Sequence, residues 1–310
     1  MNVIIIIKEY IKHMQALNYA DKTIEIYTWG LTCFSDYLAL IKVEDLRQIT
    51  RKTICDYQAA LADEPIKAET RATKIRAVKR LFEYLTGRHM LLINPTEGIV
   101  EVSRKNRKIG VVLTIEEITL LLKQPNLSLP MQIRDRAIME VLYSTAIRAN
   151  ELLSLTVHDV DLANGLIHIR KGKGGVDRVV PLNDQAARFL REYLEHIRPV
   201  QIKDKDERTL FLIKTGQPLT NGALTANLRI YRTQADIEKN VTAHTFRRTC
   251  ATHMLQQGAD IRYIQTLLGH KSLKTTQQYT KVVPVDIKKT HQKTHPNQRK
   301  ERRKSTKNED

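Results

Sequence analysis

At 310 residues, with 51 Lys and Arg against 34 Asp and Glu, the chain carries a formal charge of +17 and a pI near 9.7. That length suits about two domains with cores of their own, and the basic surplus implies a polyanionic partner, because lysines and arginines gain affinity for nucleic acid through phosphate contacts and counterion release. Three cysteines without metal-ligand spacing exclude a disulfide scaffold, and an N-terminal apolar run that ends at Lys8 and Glu9 is too short for a membrane span or a signal core.

The first hundred residues read as helices without a strand signal. Ile7, Tyr10, Ile11, Met14 and Leu17 form one apolar stripe. Ile24, Tyr27, Leu31, Phe34 and Leu38 form a second, with Asp21 as its N-cap. A third runs from Thr50 through Ile54, Tyr57 and Leu61, and a fourth through Ile75, Val78, Leu81, Phe82 and Leu85, ending near Asn94-Pro95. A four-helix unit over residues 1–102 is the simplest inference. Its last helix carries Lys67, Arg71, Lys74, Arg76, Lys79 and Arg80, which read either as a DNA-backbone contact surface or as a solvated helix face.

Residues 103–110 read as an interdomain linker, with Arg104, Lys105, Arg107 and Lys108 placed to lie along a duplex. A second domain, 111–291, opens with a helix capped by Thr114 and Glu117 in capping-box spacing. Helical sequence continues through Met139, Val141 and Leu142 and ends just before Arg148. Leu166–Arg170 and Arg178–Leu182 flank a glycine-rich turn and predict a β-hairpin with Lys173 at its tip. Leu210–Ile213 suggests a further short strand, and a helix follows Thr220. Residues 292–310 lack apolar periodicity and are expected to be disordered when free. Nine Lys or Arg against four acids between Val285 and Asp310 give a net +5, so +12 remains on the rest of the chain.

The stretch from Thr242 onward carries the chemistry. Thr242 reads as an N-cap, and His244 and Arg247 lie three residues apart on one face of the helix that follows. Gly258 and Gly269 read as helix stops, with Asp260 and Ser272 as the next caps, so that His270 and Tyr279 fold back toward the first helix. Guanidinium, imidazole and phenol groups together suit an anion such as a phosphodiester. Arg148 and Lys173 supply a second guanidinium and an ammonium from upstream. Tyr263 and His253 are expected to pack, and Cys33, Cys55 and Cys250 to be buried thiols in a reducing cytoplasm.

With these motifs in this order, about two thirds of the chain resembles the tyrosine recombinases, or phage-type integrases. Arg148 lies in a segment similar to the family's T-G-L-R-x-x-E-L. Lys173 fills its G-K-G turn, His244 and Arg247 its H-x-x-R, His270 its L-G-H, and Tyr279 the position of its nucleophile. Ala146, where the family usually has Gly, and Val176, where a basic residue often follows the turn, depart from the pattern.

The resemblance implies a mainly α fold with a small β-hairpin or sheet: an N-terminal four-helix, SAM-like core-binding domain and a C-terminal α+β catalytic domain. It implies that Arg148, Lys173, His244, Arg247, His270 and Tyr279 cleave and rejoin DNA through a 3′-phosphotyrosyl intermediate without a cofactor or metal. It also implies a homotetramer on two DNA recombination sites, with or without a partner recombinase, in the cytoplasm and close to the nucleoid. The integrase or transposase of a mobile element comes first, a Xer-type resolvase of chromosome dimers second, and a non-cleaving architectural or regulatory DNA-binding protein third.

Overall fold

The computed structural model describes residues 2–100, 110–170 and 177–269. The chain divides into two compact units, Met1–Arg107 and Lys108–Asp310.

The N-terminal unit is built from α1 (Val3–Ala16), α2 (Asp21–Leu40), α3 (Arg51–Asp63) and α4 (Ala68–Gly87). The Asn2 side chain caps α1 by accepting from the Ile4 and Ile5 amides. Thr50 caps α3 through a reciprocal pair with Thr53. The predicted stripes meet in one core: Leu31, Phe34 and Leu38 of α2 against Ile54, Tyr57 and Leu61 of α3 and Ile75, Val78 and Leu85 of α4. Asp21 is the first residue of α2 rather than its cap, which is Ala20, and α4 stops at Gly87, earlier than Asn94-Pro95.

The α2–α4 contact is close because Gly30 is buried in it. A Cβ there would sit 2.9 Å from the Cβ of Ala77. Both atoms would be fixed by backbone, so neither side can swing away. Overpacking of this kind costs about 1–3 kcal/mol, from which the better helix propensity of alanine subtracts about 1. Gly30→Ala is therefore expected to lower the unfolding free energy by about 1 kcal/mol in urea denaturation, and an unchanged or higher value would refute the close approach.

Two expectations fail on helix faces for the same reason. Cys55 is exposed and Cys33 half-buried, with only Cys250 buried. Tyr263 is 48% exposed. Cys33, Cys55 and Tyr263 each lie one residue from a core position, Phe34, Ile54 and Ile264, which rotates the side chain about 100° out of the apolar stripe.

The second unit contains α5 (Ile115–Leu122), α6 (Pro130–Thr145) and α7 (Ala149–Leu153), then the strands β1 (Val160–Asp161), β2 (Leu166–Ile169) and β3 (Arg178–Pro181). α8 (Asp184–Glu192) runs through a π-helical turn at Tyr193–Ile197 into α9 (Arg198–Gln201), and α10 (Asn221–Gln234), α11 (Ala243–Gln256) and α12 (Ile261–Leu268) follow. The sheet order is β1-β2-β3, all antiparallel, and Ile167 pairs with Val180 and Ile169 with Arg178. Ile167, Ile169 and Val180 turn inward onto the core formed with α6 and α8. The hairpin is thus as expected, and Lys173 between its strands lies outside the described residues.

Leu210–Ile213 is not a strand. Leu210, Phe211 and Leu212 are buried, but they make only an isolated bridge, Leu212 with Pro218. Pro218 has no amide proton with which to extend a ladder. The amide and carbonyl of Leu212 instead bond side chains, donating to the Tyr193 hydroxyl at 3.0 Å and accepting from Arg134 at 2.8 Å.

Candidate active site

The site is assembled at three helix ends. Thr242 caps α11, its hydroxyl accepting from the Thr245 amide while the Thr245 hydroxyl accepts from the Thr242 amide. The first two turns of α11 carry His244 and Arg247. Arg247 is only 2% exposed. Its Nη1 donates to the Ala146 carbonyl at 2.7 Å and its Nη2 to the Leu268 carbonyl at 2.6 Å.

Ala146 ends α6 in the left-handed region, at φ 52° and ψ 26°. Glycine takes that conformation without strain and other residues at a cost, which explains why a glycine is usual there. Two residues later Arg148 occupies the N-cap position of α7. Its amide donates to Glu151 Oε2 at 2.8 Å, its Nη1 to Glu151 Oε1 at 2.7 Å, and its Nη2 reaches the Gly269 carbonyl at 3.5 Å.

α12 closes the site. Asp260 caps its start, accepting from the Arg262 amide at 2.6 Å, and Gly269 ends it at φ 59°. The last carbonyls of a helix lack intrahelical partners and carry its negative dipole end. Here they receive guanidiniums: Leu267 that of Arg178 at 3.1 Å, Leu268 that of Arg247, and Gly269 that of Arg148.

Electrostatics follow from this crowding. Burial pushes the Glu151 carboxyl up, but donors from Arg178 and Arg148 outweigh it and hold the pKa at about 2. The imidazole of His244 reaches solvent, yet desolvation on its protein side, followed by the charges of Arg248, Arg247 and Arg148, lowers its pKa. A lowered pKa keeps the ring neutral near pH 7 and fit to accept a proton.

Arg148, His244 and Arg247 are therefore brought together. Lys173, His270 and Tyr279 lie outside the described residues, as do Arg104, Lys105, Arg107 and Lys108. Sequence reasoning gave no role to Glu151 or Arg178. The signal for Glu151 is its capping-box spacing from Arg148, whereas Arg178 is separated from Glu151 by 27 positions and left none. His253 packs as expected, between the Tyr143 hydroxyl at 2.8 Å and the Leu113 carbonyl at 3.0 Å.

The basic face of α4 needs one correction. Lys74 is 6% exposed, ion-paired with Glu64 at 2.8 Å and 5.4 Å from the Trp29 ring centroid. It sits at the α2 contact beside Gly30, so it belongs between helices and not on an outer surface. Lys67 is exposed, while Arg71 donates to the Ala62 carbonyl and Lys79 to that of Ile99.

Comparison with known proteins agrees with this geometry. Residues 111–284 match the phage integrase family and residues 7–89 its N-terminal SAM-like domain. Tyrosine recombinase XerD of Staphylococcus saprophyticus is 35% identical over 292 residues, covering 94% of this chain and 98% of that protein. The XerD protein of Staphylococcus aureus is 32% identical over the same length. Among solved structures, the XerH site-specific recombinase bound to difH substrate in a pre-cleavage complex is 26% identical, with a TM-score of 0.69, over 88% of this chain and 80% of that one. The Tn1549 transposon integrase with circular intermediate DNA shares the fold at 19% identity and a TM-score of 0.72, over 90% of this chain and 95% of that one. From its helix-end guanidiniums to its relatives of matching length, the chain belongs to the phage integrase family, the tyrosine recombinases.

Proposed function

We propose that this recombinase is of the Xer type, joining and resolving DNA at a specific site by covalent phosphotyrosine chemistry. The observation that supports the chemistry best is the convergence of Arg148 and Arg247 on successive carbonyls, Gly269 and Leu268, immediately before His270. Two guanidiniums fixed in this way oppose the charge that gathers on phosphoryl oxygens during attack and cost no reorganisation at that moment.

In this reading the Tyr279 phenolate oxygen bonds to phosphorus, the bond from phosphorus to the 5′ oxygen breaks, His244 takes the phenol proton, and Lys173 gives one to the departing 5′ oxygen. His270 donates to the phosphate. The phosphotyrosyl bond keeps the energy of the broken linkage, so a second 5′ hydroxyl reseals the DNA without ATP. Relatives that span the length of the chain are XerD proteins, which puts a resolvase ahead of the mobile-element integrase that the basic tail favoured.

The test is a nicked suicide duplex carrying a site selected from a random pool by binding. Wild type should give a protein-linked DNA band on a denaturing gel and Tyr279→Phe none; a band that persists in the variant would dismiss the assignment. Assembly of four protomers on two such sites is part of the proposal, and a particle holding only two protomers in mass photometry of the paired complex would contradict it.

DNA contact by the N-terminal unit is expected at Lys67. Lys67→Ala should weaken binding to all sequences alike and reduce the slope of log K against log salt by about 1. An unchanged slope would remove Lys67 from the DNA surface.

A further inference from the structure

We infer that Arg178, the first residue of β3, opposite Ile169, is a positioning residue that fixes Arg148 relative to Arg247 by locking Glu151 to the end of α12. The inference rests on the recombinase reading and adds to it a residue outside the motif set.

The bonding of Glu151 carries the argument. Each carboxylate oxygen accepts one bond from Arg148 and one from Arg178: Oε1 from Arg148 Nη1 at 2.7 Å and Arg178 Nη1 at 3.1 Å, Oε2 from the Arg148 amide at 2.8 Å and Arg178 Nη2 at 2.7 Å. The two bonds from Arg148 are local, made between residues three positions apart. Without Arg178 the carboxylate would be tied, among the described residues, only to the residue that it orients, and the pair would keep a single long contact to α12, from Arg148 Nη2 to the Gly269 carbonyl at 3.5 Å.

Arg178 supplies that reference. Its Nε donates to the Leu267 carbonyl at 3.1 Å, next to the Leu268 carbonyl that holds Arg247. One planar guanidinium thus spans α7 and α12, and only its fork geometry lets it bond both carboxylate oxygens and a carbonyl at once. Gly269 leaves room for it. A Cβ at that position would lie 3.2 Å from the Cδ, Nε and Cζ atoms of Arg178. The side chain is 10% exposed, so these bonds form with little competition from water.

The test compares full-length wild type, Arg178→Gln, Arg178→Lys, Glu151→Gln and the Glu151→Gln/Arg178→Gln double variant on the suicide duplex. It reads the single-turnover rate of the covalent band, the affinity for uncleaved DNA and the melting temperature. Arg178→Gln should cleave about 10- to 100-fold more slowly, the range in which misplacing a reacting group counts, with DNA affinity unchanged. Arg178→Lys keeps the charge but loses the fork, and should fall between Gln and wild type.

The double variant should cleave no more slowly than Glu151→Gln alone, because Arg178 acts through that carboxylate. Wild-type cleavage by Arg178→Gln, additive losses in the double variant, or a rate loss that merely follows loss of folding in both Gln and Lys variants would each overturn the inference. If Gln fails to fold, Arg178→Lys decides: slower cleavage at unchanged affinity supports the role, and a wild-type rate removes it. A wild type that forms no covalent band would count instead against the recombinase reading.

Discussion

Arg247→Ala is expected to lose about 10²- to 10³-fold in DNA cleavage, the effect of removing one preorganised oxyanion donor, or roughly 3–4 kcal/mol of barrier. It should also unfold more easily, and for a separate reason. The Ala146 and Leu268 carbonyls both take their bonds from this guanidinium, and Arg247 is among the largest fully buried side chains. A buried acceptor left without its partner costs about 1–3 kcal/mol. The same side chain thus joins the left-handed end of α6 to the end of α12 and aims a charge at the phosphate. Thermal denaturation and the suicide-substrate rate, measured on the same preparation, separate the two effects. A variant that melts like wild type and cleaves like wild type would mean that Arg247 does neither task.

Local devices were legible in the sequence because a few consecutive residues contain them. Thr114 with Glu117 and Thr242 with Thr245 form reciprocal caps where helix starts were expected. Asp260 and Gly269 bound α12 as read, and a glycine-rich turn between β-branched runs predicted the hairpin. Ala146 was visible as a departure from the family pattern, and its φ of 52° supplies the reason glycine is preferred there. Arg148 and Arg247 reach successive carbonyls at the end of α12, and the charges of both act on His244.

What stayed hidden depends on partners distant in the chain. Lys74 looks like one more basic residue on a helix until α2 is laid against it at Gly30. Glu151 shows only its local spacing from Arg148, and its tie to Arg178 emerges when strand register brings Arg178 opposite Ile169 and its side chain to α7. Periodicity reports one helix's apolar face, so it cannot say which polar residues at the margin are enclosed by a neighbour.

Glu151→Gln should be the most pH-sensitive of these changes. The Glu151 carboxyl has an ordinary value of 4.5 and is held at about 2 in the folded protein, and its side chain is 7% exposed, so solvent screens it little. A group whose folded pKa is depressed adds stability above its unfolded pKa and loses it as pH falls through the folded one. The contribution at pH 7 is about 3 kcal/mol. Replacing the charge with an amide removes that contribution and also turns an NH2 group toward donors, leaving two guanidiniums with one neutral acceptor.

Urea denaturation of both proteins should therefore show a gap of about 3 kcal/mol at pH 7, narrowing below pH 4.5 and closing near pH 2. A gap of equal size at pH 7 and pH 3 would mean that Glu151 contributes through packing instead of charge. Cleavage should fall in parallel at neutral pH, because the Arg148 guanidinium loses the anion that orients it while the phosphate still demands the same geometry. Screening by salt offers a last discrimination: a buried carboxylate between two guanidiniums resists it, so the pH 7 gap should persist in high salt, where a surface pair would fade.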